Sequence, residues 1–473
     1  MAALRPRTQI TVQSALNLTA PSGPGVIAMI GTAQWGSMDT VVSIDNMSQA
    51  INNFKDDIDE TTNSSLTLIK GLDLAFNNGA SSIKCVRIND GDSTSSTLVL
   101  QAGSTDVITL WGKYEGTYGD NVSATITANA VTAANRDISI TDGINTETYS
   151  NDGVGYTSNT NIITAVNAGS SLVACDLETD DFLVDALSQS NLAGGDNGEN
   201  SLIASDWTTA MDNLLNNEDY DLLCIPGNSV DSFQTTVVGK LVTRASAEDK
   251  FSQFITGISK DETVATAKAR TASGMRLSVV APNVKHTHRI TGNEEILDGS
   301  YLGCAYAALI AKNWPEVSAT HKVLNVGGLS ILESSGTEYY NNTDQNGLLN
   351  ARIVPITKIG GSLMPSRAVT RYSDVTAVYY EENIVSILDY IKAQVILLLN
   401  GYIGKPNLER VRTVIAKNVD GILEGDKREE IVASYRATQV VVATSPDTIT
   451  VTMSILPTFA INFIDVTLTI ESS

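Results

Sequence analysis

YDLLCIPGNSVDSFQTTVVGKLVTRASAEDKFSQFITG, residues 220–257, decides the fold class. Tyr220–Ile225 is a short, nearly continuous apolar run stopped by Pro226-Gly227, Phe233–Ser246 has helical spacing, and Phe251–Gly257 is a second short apolar run. Such strands, buried on both faces and joined through a helix, predict a sheet covered by helices. The rhythm continues outward. Trp207–Leu215 reads as a helix upstream. Downstream, Thr263–Ser273 reads as a helix and Arg276–Ala281 as a strand, and Tyr301–Lys312 as a small-residue helix stopped by Trp314-Pro315. Near the start, Val26–Ile30 ends at Gly31, Met47–Phe54 and Leu66–Phe76 are helical, and Ile83–Ile88 is a buried strand. The chain alternates β and α as an α/β layer does.

The 473 residues exceed the roughly 250–300 at which one core stops growing, which predicts two to four domains. Composition changes at Asn89-Asp90-Gly91-Asp92 and stays rich in Ser, Thr, Asn, Asp and Gly to about residue 195. Short alternating runs (Leu98–Leu100, Val107–Trp111, Val122–Ile126, Ile138–Ile140, Ile162–Val166) separated by turn signals predict an inserted all-β domain. In the last third, Ile353–Ile359 and Val375–Tyr380 read as strands. Asn383 is placed to cap a helix with the stripe Ile384, Leu388, Ile391, Val395 and Leu398. Asn407 is placed to cap a second helix, with Leu408, Val411, Ile415, Val419 and Ile422, closed by Gly425. Strands over Ala433–Val442, Ile449–Ile455 and Phe459–Ile470 finish the chain. The expected fold class is a multidomain α/β and α+β protein. Its parts are an N-terminal arm (1–25), an α/β middle unit (26–90 with 196–354), the inserted β domain (91–195) and a C-terminal α+β unit (355–473).

Both ends alternate with a period of two. Ile10, Val12, Leu16 and Leu18 share a face, and Pro21, Gly23, Pro24 and Gly25 form a hinge behind them. At the other end Ile461 and Phe463 share a face with Phe459, and Val466, Leu468 and Ile470 continue it after a slip near Asp465, a bulge or a crossing between sheets. A terminal strand needs a sheet edge, supplied by neighbouring copies through strand addition or by its own subunit.

Formal charge is −22. That excess repels phosphate backbones and anionic membranes, which speaks against direct nucleic-acid binding and membrane association. Residues 91–200 hold two basic residues against fifteen acidic ones, whereas residues 355–473 hold eleven against thirteen. An assembly tolerates this split when the acidic part faces solvent and the near-neutral part packs against neighbours, which places 355–473 and the N-terminal arm innermost and 91–195 outermost. Cys85, Cys224 and Cys304 lie in apolar runs and read as buried thiols; with Cys175 they form no disulfide framework. The sequence shows no signal peptide, and its best apolar helix, 384–399, is interrupted by Ser386, Asp389, Lys392 and Gln394, so no membrane insertion is expected.

The chemistry is thin. No GxSxG, GxxxxGK[ST] or HExxH motif occurs. His286 and His288, with Glu294 or Glu295, make a weak zinc set and read better as a polar surface pair. Glu381-Glu382 precedes a helix N-terminus, where carboxylates offset the dipole. Arg367, Arg371 and Asp374 could hold an anion, but read better as inter-subunit ion pairs or as stems covering apolar surface. No catalytic residue, cofactor or metal is expected.

Several segments, in order, resemble the tail sheath protein family of contractile phages and related injection systems. They are Gly23–Gly31, ASSIKCVRIND (80–90), YEGTYGDNVSATI (114–126), YDLLCIPG (220–227), ARIVPITKIGGSLMPSRAVTRYSD (351–374) and ENIVSILDYIKAQVILLLNGYIGKPN (382–407). Where that family has Trp-Gly-Ala-Arg this chain has Gly360-Gly361-Ser362-Leu363, and Lys405 stands at its post-helix glutamate. The resemblance implies a subunit of six-fold rings stacked around a tail tube, woven together by arms and shortened from a metastable extended state when the baseplate triggers it. Its implied partners are further copies of itself, the tube protein, and baseplate and tail terminator proteins. Its implied place is a virion tail or injection particle, assembled in the host cytoplasm. The alternatives are another self-assembling structural protein, such as a capsid or surface-layer subunit, and, further off, an α/β enzyme.

Overall fold

The computed structural model describes residues 25–38, 40–56, 66–215, 218–332, 339–374, 378–442 and 447–462. Its centre is an eight-stranded sheet in the order Ser362–Pro365, Val354–Ile359, Leu277–Ala281, Gln253–Gly257, Leu222–Cys224, Ile27–Gly31, Ile83–Arg87, Val41–Ile44. The six inner strands run parallel and the two edge strands antiparallel. Helices cover both faces, so inner strands such as Leu277–Ala281 are buried along their whole length. One face packs on the helices Leu68–Asn77 and Gly299–Lys312, the other on Asp231–Ala247 and Val264–Lys268.

The small residues of Gly299–Lys312 set its depth. A Cβ on Gly257 would lie 2.0 Å from the Gly299 carbonyl, and one on Gly303 3.0 Å from the Thr256 Cα. Helix and strand therefore touch backbone to backbone.

Between Ile83–Arg87 and Leu222–Cys224 the chain builds a separate core. A three-stranded sheet (Thr97–Ala102, Thr105–Gly112, Val173–Leu177) packs with a four-stranded one ordered Leu187–Asn191, Ser123–Ala128, Arg136–Thr141, Thr146–Tyr149. The insert is not all β. Residues Ile162–Val166, expected as a strand, belong to the helix Asn159–Gly169, whose N-cap Ser158 accepts a bond from the Asn161 amide. Ile162 and Val166, four residues apart, both face the core, a spacing that serves a helix as well as a strand.

Four further expectations change. Val354–Ile359, assigned to the C-terminal unit from Pro355 onward, joins the large sheet beside Leu277–Ala281. Val378–Tyr380 is a 3₁₀ turn rather than a strand. The helix Glu382–Asn400 is preceded by Glu381, so Asn383 sits inside its first turn. The helix Glu409–Arg428 is preceded by Leu408 and runs through Gly425; Asn407 instead takes the Arg412 guanidinium at 2.7 Å.

Candidate assembly surface

The C-terminal core joins Glu382–Asn400 and Glu409–Arg428 to a hairpin of Val432–Val442 and Ile449–Pro457. Tyr435, Val440, Ile449, Val451, Met453 and Ile455 face the helices. Among the described residues these two strands pair only with each other. Each therefore carries an outer row of backbone donors and acceptors with no ladder partner, and two strands alone are marginal in water.

Polar groups key this unit to the large sheet. Asp389 accepts from Arg276 Nη1 at 2.7 Å and Nη2 at 2.9 Å, with both side chains almost fully buried. Gln253 donates to Ser386 at 2.9 Å, and Ser386 donates to Glu382 at 2.7 Å. Burial pushes the Glu382 carboxyl up to about 7, against the Ser386 bond, and the neighbouring Glu381 charge adds to the rise. The Glu381-Glu382 pair is thus split. Glu382 is buried in the joint, while Glu381 takes Arg367 through Nε at 3.1 Å and through Nη2.

A second surface lies on the turn between the two helices and on the outer side of the second. Leu397, Ile403, Leu408 and Val414 are exposed, Leu397 by 77%. Residues 401–419 carry Lys405, Arg410, Arg412 and Lys417 against Glu409 alone. A basic, apolar surface on a chain of charge −22 escaped the sequence reading, which averaged charge over 355–473; the local run was there to be counted.

Of the arm residues, Ile461 is described and is 81% exposed. Phe459 is 46% exposed, and Phe459–Asn462, expected to begin the last strand, lie outside any strand of this chain. Ile10, Val12, Leu16, Leu18, Phe463, Val466, Leu468 and Ile470, with the hinge residues Pro21, Gly23 and Pro24, lie outside the described residues. Gly25, at the end of the hinge, donates its N–H to Ala311 O at 2.9 Å, and a Cβ there would meet the Trp314 ring at 3.2 Å.

The other candidates resolve as structure. His286 and His288 are both buried, not a surface pair. His286 lies between Glu295 (Nδ1 at 2.8 Å) and Asp73 (Nε2 at 3.1 Å), and Lys70 and Arg289 complete the ionic chain. Burial opposes its charge, but the two carboxylates outweigh that and raise it to about 9. Glu295 is held down to about 2 by His286 and Lys70 in spite of its burial. The Arg371 guanidinium donates to the carbonyls of Ala272, Arg270 and Ala351 and ties loops together. Cys85, Cys175, Cys224 and Cys304 are free and buried. Among the described residues no group of three or more His, Cys, Asp or Glu is placed to hold a metal, and no helix is long and apolar enough to cross a membrane.

Open α/β sheets bind ligands at the carboxyl ends of the strands where the strand order reverses. Here that point lies between Ile27–Gly31 and Leu222–Cys224. It is filled. Thr32 and Thr67 exchange bonds at 3.0–3.1 Å, a Cβ on Gly227 would meet the Thr67 methyl at 2.5 Å, and one on Gly71 would meet Pro226 at 2.9 Å.

No protein-family model matches the sequence, and no curated protein matches it. Solved structures do. The sheath tail protein from Desulfitobacterium hafniense is similar with a TM-score of 0.68 at 13% identity, over 95% of this chain and 100% of that one. The sheath tail protein from Listeria innocua gives 0.68 at 16% identity, over 93% of each chain. The helical sheath of the anti-feeding prophage, in its contracted state, gives 0.55 at 11% identity over 99% of each. The chain has the tail sheath fold.

Proposed function

We propose that this chain is the sheath subunit of a contractile tail or injection particle. It polymerises as stacked six-fold rings around a tail tube and shortens from a metastable extended state, driving the tube through a target envelope. The observation that carries this reading is the hairpin Val432–Val442 with Ile449–Pro457, whose strands pair only with each other among the described residues, in a chain whose fold is that of sheath proteins. Segments 10–18 and 459–470 of neighbouring copies are its natural complement, alternating strands that supply backbone bonds worth ~0.5–1.5 kcal/mol each. The residues at 20–25 let the N-terminal arm stay bonded while the body it belongs to rotates.

Charge orders the layers. The insert, with fifteen acidic residues against two basic in 91–200, faces solvent. The C-terminal unit lies inward, and its basic, apolar surface around Leu397, Ile403, Lys405, Leu408 and Arg410 meets the tube, a partner of acidic surface. Baseplate and terminator proteins meet the two ends of the stack. Filled side chains at the sheet's ligand crevice, and thiols shut inside cores, fit a structural subunit rather than an enzyme.

Negative-stain microscopy of the purified chain tests the reading. Striated hollow cylinders are expected; flat sheets or closed shells would place it among other self-assembling proteins. Removal of residues 1–19 is expected to leave a folded subunit that forms no cylinders, and cylinders from that truncated chain would refute the arm mechanism.

A further inference from the structure

The C-terminal arm begins on two anchors. Directly after the hairpin, the Thr458 amide donates to Ile431 O at 3.1 Å and its hydroxyl donates to Glu430 O. Four residues on, Asn462 Nδ2 donates to Glu381 Oε1 at 3.3 Å, and Arg367 holds that same oxygen. Arg367 also lies over the Tyr380 ring at 4.9 Å, which fixes its own position. Between the anchors Thr458–Asn462 line a cleft with Glu316–Ser318 and Thr320–Lys322. Phe459 and Ile461 border that cleft with much of their apolar surface still exposed, 46% and 81%, while Asn462 is half-buried.

One anchor would leave a pivot. Two anchors four residues apart, a span of at most about 14 Å, define a direction. Resting on the arm reading above, we propose that Asn462, Glu381 and Arg367 form a clasp that sets the direction in which the C-terminal arm leaves the subunit and turns Phe459 and Ile461 toward a second copy of this chain. Asn462 and Glu381 are positioning residues: they make no bond to the neighbour's hairpin but decide whether the arm arrives in register with it. Register matters because a one-residue slip sends the apolar set to the opposite face.

The test compares the full chain with Asn462→Ala, Asn462→Asp and a chain ending at residue 458. Three readouts apply: thermal midpoint, concentration needed for cylinder formation, and the rate of chymotrypsin cleavage within 459–463 in the unassembled subunit. Both Asn462 variants are expected to melt within about 2 °C of the parent. Cleavage should rise about tenfold in Asn462→Ala and more in Asn462→Asp, where two carboxylates repel. The assembly threshold should rise by a similar factor, in keeping with the loss of one charge-assisted bond. The chain ending at 458 should not assemble at all. Parental cleavage in both Asn462 variants would overturn the clasp, whether or not cylinders form. So would parental assembly in both variants while the truncated chain fails, and that result leaves the arm reading standing. Cylinders from the truncated chain would instead overturn the arm reading. A drop of more than 5 °C in Asn462→Ala would assign Asn462 to the fold and overturn its positioning role.

Discussion

Replacing Asp389 by alanine breaks the joint between the C-terminal helix pair and the large sheet. In the parent, the Arg276 guanidinium gives two parallel bonds to Asp389, one further bond to Ser252 O at 2.9 Å, and lies 5.6 Å from the centre of the Phe251 ring. Asp389→Ala removes the one carboxylate that, among the described residues, is bonded to Arg276, and leaves its charge walled in. Breaking one side of such a buried pair costs about 3–5 kcal/mol. At 1.36 kcal/mol per decade, that is about two to three and a half orders of magnitude in the opening equilibrium of the helix. A chain with several cores does not unfold in one step, so a global midpoint dilutes a loss confined to one joint, and hydrogen exchange read peptide by peptide isolates it. Amides of Glu382–Asn400 should lose protection by that factor, while peptides of the insert core, such as Thr105–Gly112, keep theirs. The paired replacement Arg276→Met with Asp389→Leu should recover most of the loss, because matched apolar groups carry no stranded charge. The reasoning is refuted if Asp389→Ala changes protection of Glu382–Asn400 by less than threefold, or if the insert loses protection equally.

Glu382 should make stability fall with rising pH. Its folded carboxyl, at about 7 against an ordinary 4.5, binds its proton more tightly than the unfolded chain does. Its contribution therefore declines by up to about 3 kcal/mol between pH 4.5 and 7 and is flat above, and Glu382→Gln should flatten that slope in denaturant titrations. Gly257→Ala puts a methyl 2.0 Å from the Gly299 carbonyl, so the helix must lift off the sheet; a loss of about 3 kcal/mol or more, read as reduced soluble yield and melting temperature, is expected. Changing Lys405, Arg410 and Lys417 together to glutamate should leave the fold within about 1 kcal/mol of the parent. The same change should abolish co-sedimentation with tubes at low salt if this surface meets the tube.

The α/β unit was legible because its strands are buried on both faces. Tyr220–Ile225 and Ile83–Ile88 need no alternation, only an apolar run between breakers, and Met47–Phe54 coincides with the observed helix because Asn46 and Lys55 bound it. Five-residue segments carried too little period to decide. Ile162–Val166 fits a helix and a strand equally, and Ser158 was the deciding signal. Val378–Tyr380 has β-forming side chains but turns because the chain must enter the next helix at once. The burial of His286 was not legible at all, since Asp73 lies 213 residues away and only the fold brings it near. At the assembly surface, the hairpin strands and the helical stripe were readable, whereas the split roles of Glu381 and Glu382 depend on partners, Arg367 and the buried joint, that local sequence does not reveal.

A ribbon of two strands whose margins, among the described residues, are both bare has a consequence for growth. If the proposed stack forms, two subunits that meet offer each other a single ribbon apiece, whereas the rim of an existing stack would present many ribbons at fixed spacing. Addition to a rim would then outrun the start of a new stack, and lengthening should show a lag that preformed seeds abolish. On the same reading the stack would have no natural last layer, for its newest rim would stay adhesive until a different protein, without such a ribbon, covered it.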